Sequence, residues 1–258
     1  MTGDKRRTIM GGDAPPYRGP EQIQRYYDSA NQKIKRTVRG ITKNQPCPYP
    51  EESQRHFITL WLSGCREGEG IMLEPSGFTW GPDSIGYRKC PVLKKREKVR
   101  DKNGEVIYRK VETQVRQQDG SVQPETIYRP ESKQKIVYRE HLMPRDIPLG
   151  EEFIEMIQTL QEQGYKYVLY RRQPFDRSPS IDQPCSTRTV VNRVTELHPD
   201  LFPHGMRALQ VRYLKDKYGK KFDVPELKQH FRWSSTEMAV YYLSGQDLAE
   251  AMGVSVPW

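Results

Sequence analysis

The chain has 258 residues, 35% hydrophobic and 29% charged, a polar composition that still leaves ample material for a core in one large or two small domains. Its 42 lysines and arginines outnumber 33 acidic residues, giving a formal charge of +9 and a sequence pI of about 9.3, a balance that favours a polyanionic partner. No apolar run approaches the ~18–20 residues of a membrane span, the start MTGDKRRTIMGGDAPPYRG lacks the apolar core of a secretory signal, and four scattered cysteines without a CxxC pair or zinc-finger spacing predict a reduced, cytoplasmic chain with no structural metal.

Residues 1–19 read as a flexible lead-in. PEQIQRYYDSANQKIKRTV (20–38) carries helical periodicity with Pro20 near its start. PEESQRHFITLWLSGCREGEGIML (50–73) is a second, more apolar helix. Its Phe57, Leu60 and Trp61 lie at i, i+3 and i+4, the spacing of a buried stripe, and Gly64 interrupts it just before Arg66.

Residues 84–147 are predicted to be β-rich. VRDKNGEVIYR (99–109) and VRQQDGSVQPETIYR (115–129) form a weak repeat whose NG and DG dipeptides signal hairpin turns. Pro124 and Pro130 keep the second copy away from a central-strand role. From 150 onward the chain reads as mostly helical, at 150–164, 186–198, 203–219 and 224–231. A short extended or buried segment, YKYVLY, and a polar loop, RRQPFDRSPSIDQP, separate the first two. The expected fold is mainly α with a small antiparallel β-sheet (α+β), formed early in the domain.

Four short stretches then fall in order. SGCREGEGIML (63–73) carries Arg66 and Glu69, and VLKK (92–95) carries Lys94 and Lys95. PHGMR (203–207) carries His204 and Arg207, and WSSTEMAVYYLSG (233–245) carries Trp233, Tyr241 and Tyr242. The series Arg, Lys, His-x-x-Arg, Trp, Tyr resembles the catalytic domain of the tyrosine recombinases, the phage and archaeal integrase family. The resemblance covers about residues 20–258 and implies that family's fold, with 96–135 as a β-hairpin insertion and 243–258 as a C-terminal tail. Each motif is short, and the specificity lies in all of them standing in order.

What the resemblance implies is attack of a tyrosine on a DNA phosphodiester, giving a 3′-phosphotyrosyl link and a free 5′-hydroxyl. The family's pattern G-x-R-x-x-E matches Gly64, Arg66 and Glu69, its H-x-x-R matches His204 and Arg207, and its histidine or tryptophan nine residues before the nucleophile matches Trp233 and Tyr242. An unperturbed tyrosine with pKa near 10 is only about 0.1% ionised at pH 7, a deficit of roughly 4 kcal/mol. His204 is the candidate to accept the phenolic proton. Arg66 and Arg207 would grip the non-bridging oxygens, because a guanidinium matches phosphate geometry and stays charged. Glu69 would orient Arg66, Trp233 would pack beside the phosphate or donate its indole N–H, and a hairpin lysine would protonate the leaving oxygen. The family's strand ending favours Lys95, with Lys94 next and Lys133 or Lys135 also open. Tyr241 is the rival nucleophile, since one extra loop residue would shift the helix register.

Two departures matter. Arg232–Trp233 stands where glycine–histidine is commonest, and the lead-in occupies the place of the separate helical domain that most members carry before the catalytic one. Basic residues on and beside the insertion (Arg88, Lys89, Lys98 and Arg100 among them) are candidates to contact the DNA backbone. The expected partners are double-stranded DNA and further copies of the chain in a tetramer on that DNA, with no membrane. No metal or nucleotide cofactor is implied, because the phosphodiester's energy is kept in the phosphotyrosine. A non-catalytic DNA-binding remnant of the fold and a type IB topoisomerase are the rival functions.

Overall fold

A computed structural model describes residues 17–38, 41–93, 97–116, 122–133, 135–173, 178–219 and 223–233, together with 236, 239, 242 and 243. The chain divides into two compact units, Met1–Pro91 with Arg139–Trp258, and Val92–Tyr138. Among the described residues no helix is long and apolar enough to cross a membrane.

The first unit is α+β and is built around α2 (Pro50–Ser63), which Pro50 opens at a position where its missing N–H is not needed. This helix is buried nearly all round, as befits a central rather than a surface helix. The expected stripe of Phe57, Leu60 and Trp61 is at most 1% exposed. The Trp61 indole N–H donates to the Pro148 carbonyl at 3.0 Å, and its ring meets Tyr213 edge-on at 5.6 Å. Around α2 pack α4 (Gly150–Glu162), α5 (Thr187–Leu197) and α6 (Pro203–Tyr218). In α5 the Ser186 hydroxyl caps the first turn, accepting from the Thr189 N–H at 3.1 Å, while Val190, Val194 and Leu197 face inward at helical spacing.

Three local expectations are corrected. Residues 20–38 are not one helix: α1 (Glu21–Asp28) gives way at Ser29–Asn31, and β1 (Ile34–Val38) pairs antiparallel with β2 (Ile41–Gln45). The physical reason is Arg36, which is wholly buried. Its guanidinium donates to the carbonyls of Glu196 and Gln32, both at 2.8 Å, to that of Gln45 at 2.5 Å and to that of Ser29. This tertiary anchor, set at the C-terminal carbonyls of α5 where a cation is favoured, outweighs the helical periodicity of a polar stretch.

The second correction concerns the polar loop after YKYVLY. Here β10 (Tyr170–Arg172) pairs antiparallel with β11 (Pro179–Pro184). Tyr170 anchors the pair, accepting from Arg55 Nη1 at 2.8 Å beneath a guanidinium 3.9 Å from its ring centre. Third, the sheet content is not one early sheet. A three-stranded sheet runs in the order β3 (Phe78–Trp80), β4 (Ser84–Leu93), β9 (Ile136–Pro144), and separate two-stranded pairs accompany it.

The second unit is a β-arm. Its β5 (Glu97–Lys98) pairs with β8 (Ser132–Lys133), and β6 (Tyr108–Arg116) with β7 (Val122–Pro130). The NG dipeptide forms a turn in which the Asp101 carboxylate accepts from the N–H groups of Asn103 and Glu105 at 2.9 Å each. Gly104 there has φ 85°, a conformation that glycine takes freely. The DG turn lies outside the described residues. Positions 97–112, 123, 124, 126–133 and 135–138 are exposed or half-buried, as in an arm held by its backbone ladder rather than by a core.

The core of the first unit keeps its histidines neutral. Burial and then the Arg55 charge push His56 down to about 3. Burial and then Arg232 push His230 down to about 3 and His141 well below its ordinary value. Each of these folded-state pKa values lies below the unfolded value near 6.5, so the associated stability is complete above pH 6.5 and is lost as pH falls towards 3. At pH 5 the loss is roughly 2 kcal/mol for His56, with contributions of the same sign from His141 and the half-buried His230. Urea midpoints are therefore expected to be level from pH 8 to 7 and to fall steeply between pH 6.5 and 5, before most carboxylates titrate. A level profile down to pH 5 would contradict this account of the core.

Candidate active site

The site lies where α2 stops. Gly64 takes the left-handed conformation, φ 56°, and closes the helix through its N–H to the Leu60 carbonyl at 3.0 Å. A side chain here is excluded twice over, by φ and by space: a Cβ would stand 2.5 Å from Gln210 Oε1 and 3.0 Å from the Phe231 ring. Two residues on, Arg66 leads into the one-turn helix α3 (Glu67–Gly70). The buried carboxylate of Glu69 accepts from the Arg66 backbone N–H at 2.9 Å and lies 3.9 Å from its guanidinium. The Arg66 side chain keeps 38% of its exposure, so it is steered by Glu69 and still faces solvent.

Pro203 opens α6, placing His204 in the first turn and Arg207 three residues later on the same face. Arg207 is 2% exposed. Its Nε donates to the Gly64 carbonyl at 2.8 Å and Nη2 to the Phe231 carbonyl at 3.2 Å. Burial, opposed by Glu69 and reinforced by Arg66 and Arg232, pulls its pKa down to about 10, so it remains a cation at neutral pH. Its Nη1 is buried without a hydrogen-bond partner among the described residues.

The third contribution comes from the end of α7 (Val224–His230), whose first turn is capped by Asp223 accepting from the Glu226 N–H at 3.0 Å. Beyond α7 the rings of Phe231 and Trp233 stack at 4.9 Å and 16°. The Trp233 ring in turn stacks on Tyr242 at 5.1 Å and 5°. Trp233 is 4% exposed and its indole N–H, like Arg207 Nη1, is a buried donor without a partner among the described residues.

Tyr242 completes the group. Its hydroxyl lies 2.7 Å from His204 Nε2. His204 is held below its ordinary pKa by burial, then by the charges of Arg207 and Arg66, so near neutral pH the imidazole is uncharged and Nε2 can accept the phenolic proton. The arrangement is therefore a phenol on a neutral base, beside one buried and one half-exposed guanidinium, with two buried N–H donors unspent. That array suits an anion reacting with the phenol.

Arg66, Glu69, His204, Arg207, Trp233 and Tyr242 thus belong to one region of the first unit. The other candidates stand differently. Lys94, Lys95 and Tyr241 lie outside the described residues. Lys135 is ion-paired with Glu97 at 3.1 Å and Lys133 is exposed opposite Glu97 in the β5–β8 register. Arg88, Lys89 and Lys98 are exposed, while Arg100, also exposed, donates to the Gly104 carbonyl at 2.6 Å. Sequence reasoning passed over Phe231, which supplies a ring and a carbonyl, and the buried guanidinium of Arg232. The only trace of Arg232 in the sequence was its place where a glycine was expected.

No protein-family model and no curated protein matches the chain. Solved structures similar to it include XerH site-specific recombinase bound to palindromic difH substrate in a post-cleavage complex, with TM-score 0.48 and 11% identity over 96% of this chain and 57% of that one. XerA recombinase has TM-score 0.47 and 13% identity over 93% of this chain and 65% of that one. The Tn1549 transposon integrase in complex with transposon right end DNA has TM-score 0.44 and 13% identity over 93% and 66%. The chain thus spans 57% to 66% of the length of these three structures.

Proposed function

We propose that this chain cleaves and rejoins duplex DNA as a tyrosine-type site-specific recombinase or integrase. The observation that carries the reading is the 2.7 Å contact between the Tyr242 hydroxyl and His204 Nε2, next to a buried Arg207 with donor capacity to spare. In this proposal the Tyr242 oxygen attacks a backbone phosphorus as its proton passes to His204. The bond from phosphorus to the 5′-oxygen breaks, and a lysine, Lys95 or Lys94, protonates that leaving oxygen. Arg66 and Arg207 hold the non-bridging oxygens, with the Trp233 N–H as a further donor. The guanidiniums of Arg66 and Arg232 both act electrostatically on Arg207, opposed by the carboxylate of Glu69. A phosphodiester supplies the anion that this excess of charge favours.

The expected assay uses nicked suicide duplexes drawn from a randomised pool, scored for protein–DNA adducts that survive denaturation. Wild-type protein is expected to give adduct, Tyr242→Phe none, and His204→Ala adduct formed about a hundred- to ten-thousandfold more slowly. Adduct persisting in Tyr242→Phe, or none from any duplex with the wild type, contradicts the proposal. The second of these results favours a DNA-binding remnant. Relaxation of supercoiled DNA without sequence demand would instead assign a type IB topoisomerase.

The insertion at 96–135, within the unit Val92–Tyr138, is proposed to contact DNA, and the assembly to be a tetramer of this chain on its target. In the β6–β7 register Arg109 stands directly opposite Arg129, both exposed. Like charges so placed repel each other, and a phosphate would relieve that. Replacing Lys98, Arg109 and Arg129 by glutamine is expected to flatten the slope of log K against log salt by roughly 0.9 per lost contact. An unchanged slope would show the arm's charges to be merely solvated.

A further inference from the structure

Arg232 occupies a position built for glycine. The chain leaves α7 through a six-to-one turn in which the Trp233 N–H reaches the Lys228 carbonyl at 2.9 Å and the Phe231 N–H the Leu227 carbonyl at 3.0 Å. The residue at the bend of such a turn takes the left-handed conformation, and glycine is its usual occupant. Here it is arginine, with φ 59°. A side chain in that conformation is strained, and such strain persists where surrounding contacts over-determine it.

Those contacts lead back to the site. Arg232 is 3% exposed, and its Nη2 donates to the Ser63 carbonyl at 3.1 Å and towards Cys65 Sγ at 3.5 Å. Ser63 and Cys65 flank Gly64, whose carbonyl orients Arg207, and Cys65 directly precedes Arg66. Cys65 Sγ is also 3.6 Å from Cys90 Sγ on β4, so the sulfur that meets the guanidinium touches that strand as well. The left-handed bend is what sends the side chain back to the turn while Trp233 continues onto Tyr242.

We propose that Arg232 is a positioning residue for the strand-cleaving centre: it clamps the Ser63–Cys65 turn and so fixes Arg66 and Arg207 against the scissile phosphate. This rests on the reading of Tyr242 as nucleophile. Arg232 touches no reacting atom and acts through the two arginines.

Arg232→Gly separates the backbone role from the side-chain role, since glycine accepts the bend without strain. With duplexes on which the wild type forms adduct, R232G is expected to bind DNA within about threefold of wild type yet cleave roughly a hundredfold more slowly at saturation, the loss that about 1 Å of misplacement brings. Millimolar guanidinium ion, too dilute to unfold the chain, is expected to restore part of that rate by occupying the vacated place, a response that a general loss of stability does not give. Arg232→Lys keeps the charge, but its shorter side chain ends before the place of Nη2, the one nitrogen that reaches both acceptors, and it is expected to cleave slowly as well. It carries the test alone if R232G does not fold. Cleavage at the wild-type rate by either folded variant, or a deficit in folded R232G that guanidinium leaves untouched, overturns the inference. Absence of adduct from the wild type removes the underlying reading and this inference with it.

Discussion

The fixed point of the first unit is the Arg207 guanidinium, buried and shared between the Gly64 and Phe231 carbonyls. Those two carbonyls belong to the ends of α2 and α7, and Arg207 itself rides on α6, so one planar cation ties three helices at a single point. A buried cation of this kind is costly unless its donors find acceptors, and two of its nitrogens do. The third, also buried, has no hydrogen-bond partner among the described residues. The side chain that ties the junction together thus also keeps one donor in reserve.

Around that point the electrostatics are lopsided. Glu69 moderates both Arg207 and Arg232, while burial and the neighbouring cations favour the unprotonated form of His204. Protonating His204 would add another positive charge to an already cationic pocket. A bound anion reverses this logic: it offsets the guanidiniums and makes an imidazolium easier to form as the phenol gives up its proton. The base would therefore be strengthened by the ligand on which it acts, which is a physical argument for coupling phosphate capture to tyrosine activation.

Much of this was legible in the sequence, for particular reasons. The stripe of Phe57, Leu60 and Trp61 marked α2 because a central helix declares itself through apolar periodicity. Gly64 marked its end because a left-handed cap has few other occupants. Arg66, Glu69, His204, Arg207, Trp233 and Tyr242 were singled out through the resemblance to the tyrosine recombinases, whose motifs are short enough to be matched along the chain. Other features were hidden in long-range contacts. Arg36 reads as one more basic residue on a polar helix until the carbonyls at the end of α5, some 160 positions away, are brought to it. Arg232 concealed a left-handed bend that a glycine would have announced. The choice of lysine depends on residues 94 and 95, which lie outside the described residues, so it rests on the strand ending alone.

The central claim is that the phenol of Tyr242 is the group that takes covalent hold of DNA. Its most direct test is mass mapping of the trapped adduct after exhaustive nuclease digestion, reading which tyrosine in the peptide around 233–245 carries the residual nucleotide. The added phosphonucleotide is expected on Tyr242. Finding it on the neighbouring Tyr241, or on a side chain elsewhere in the chain, would contradict the account.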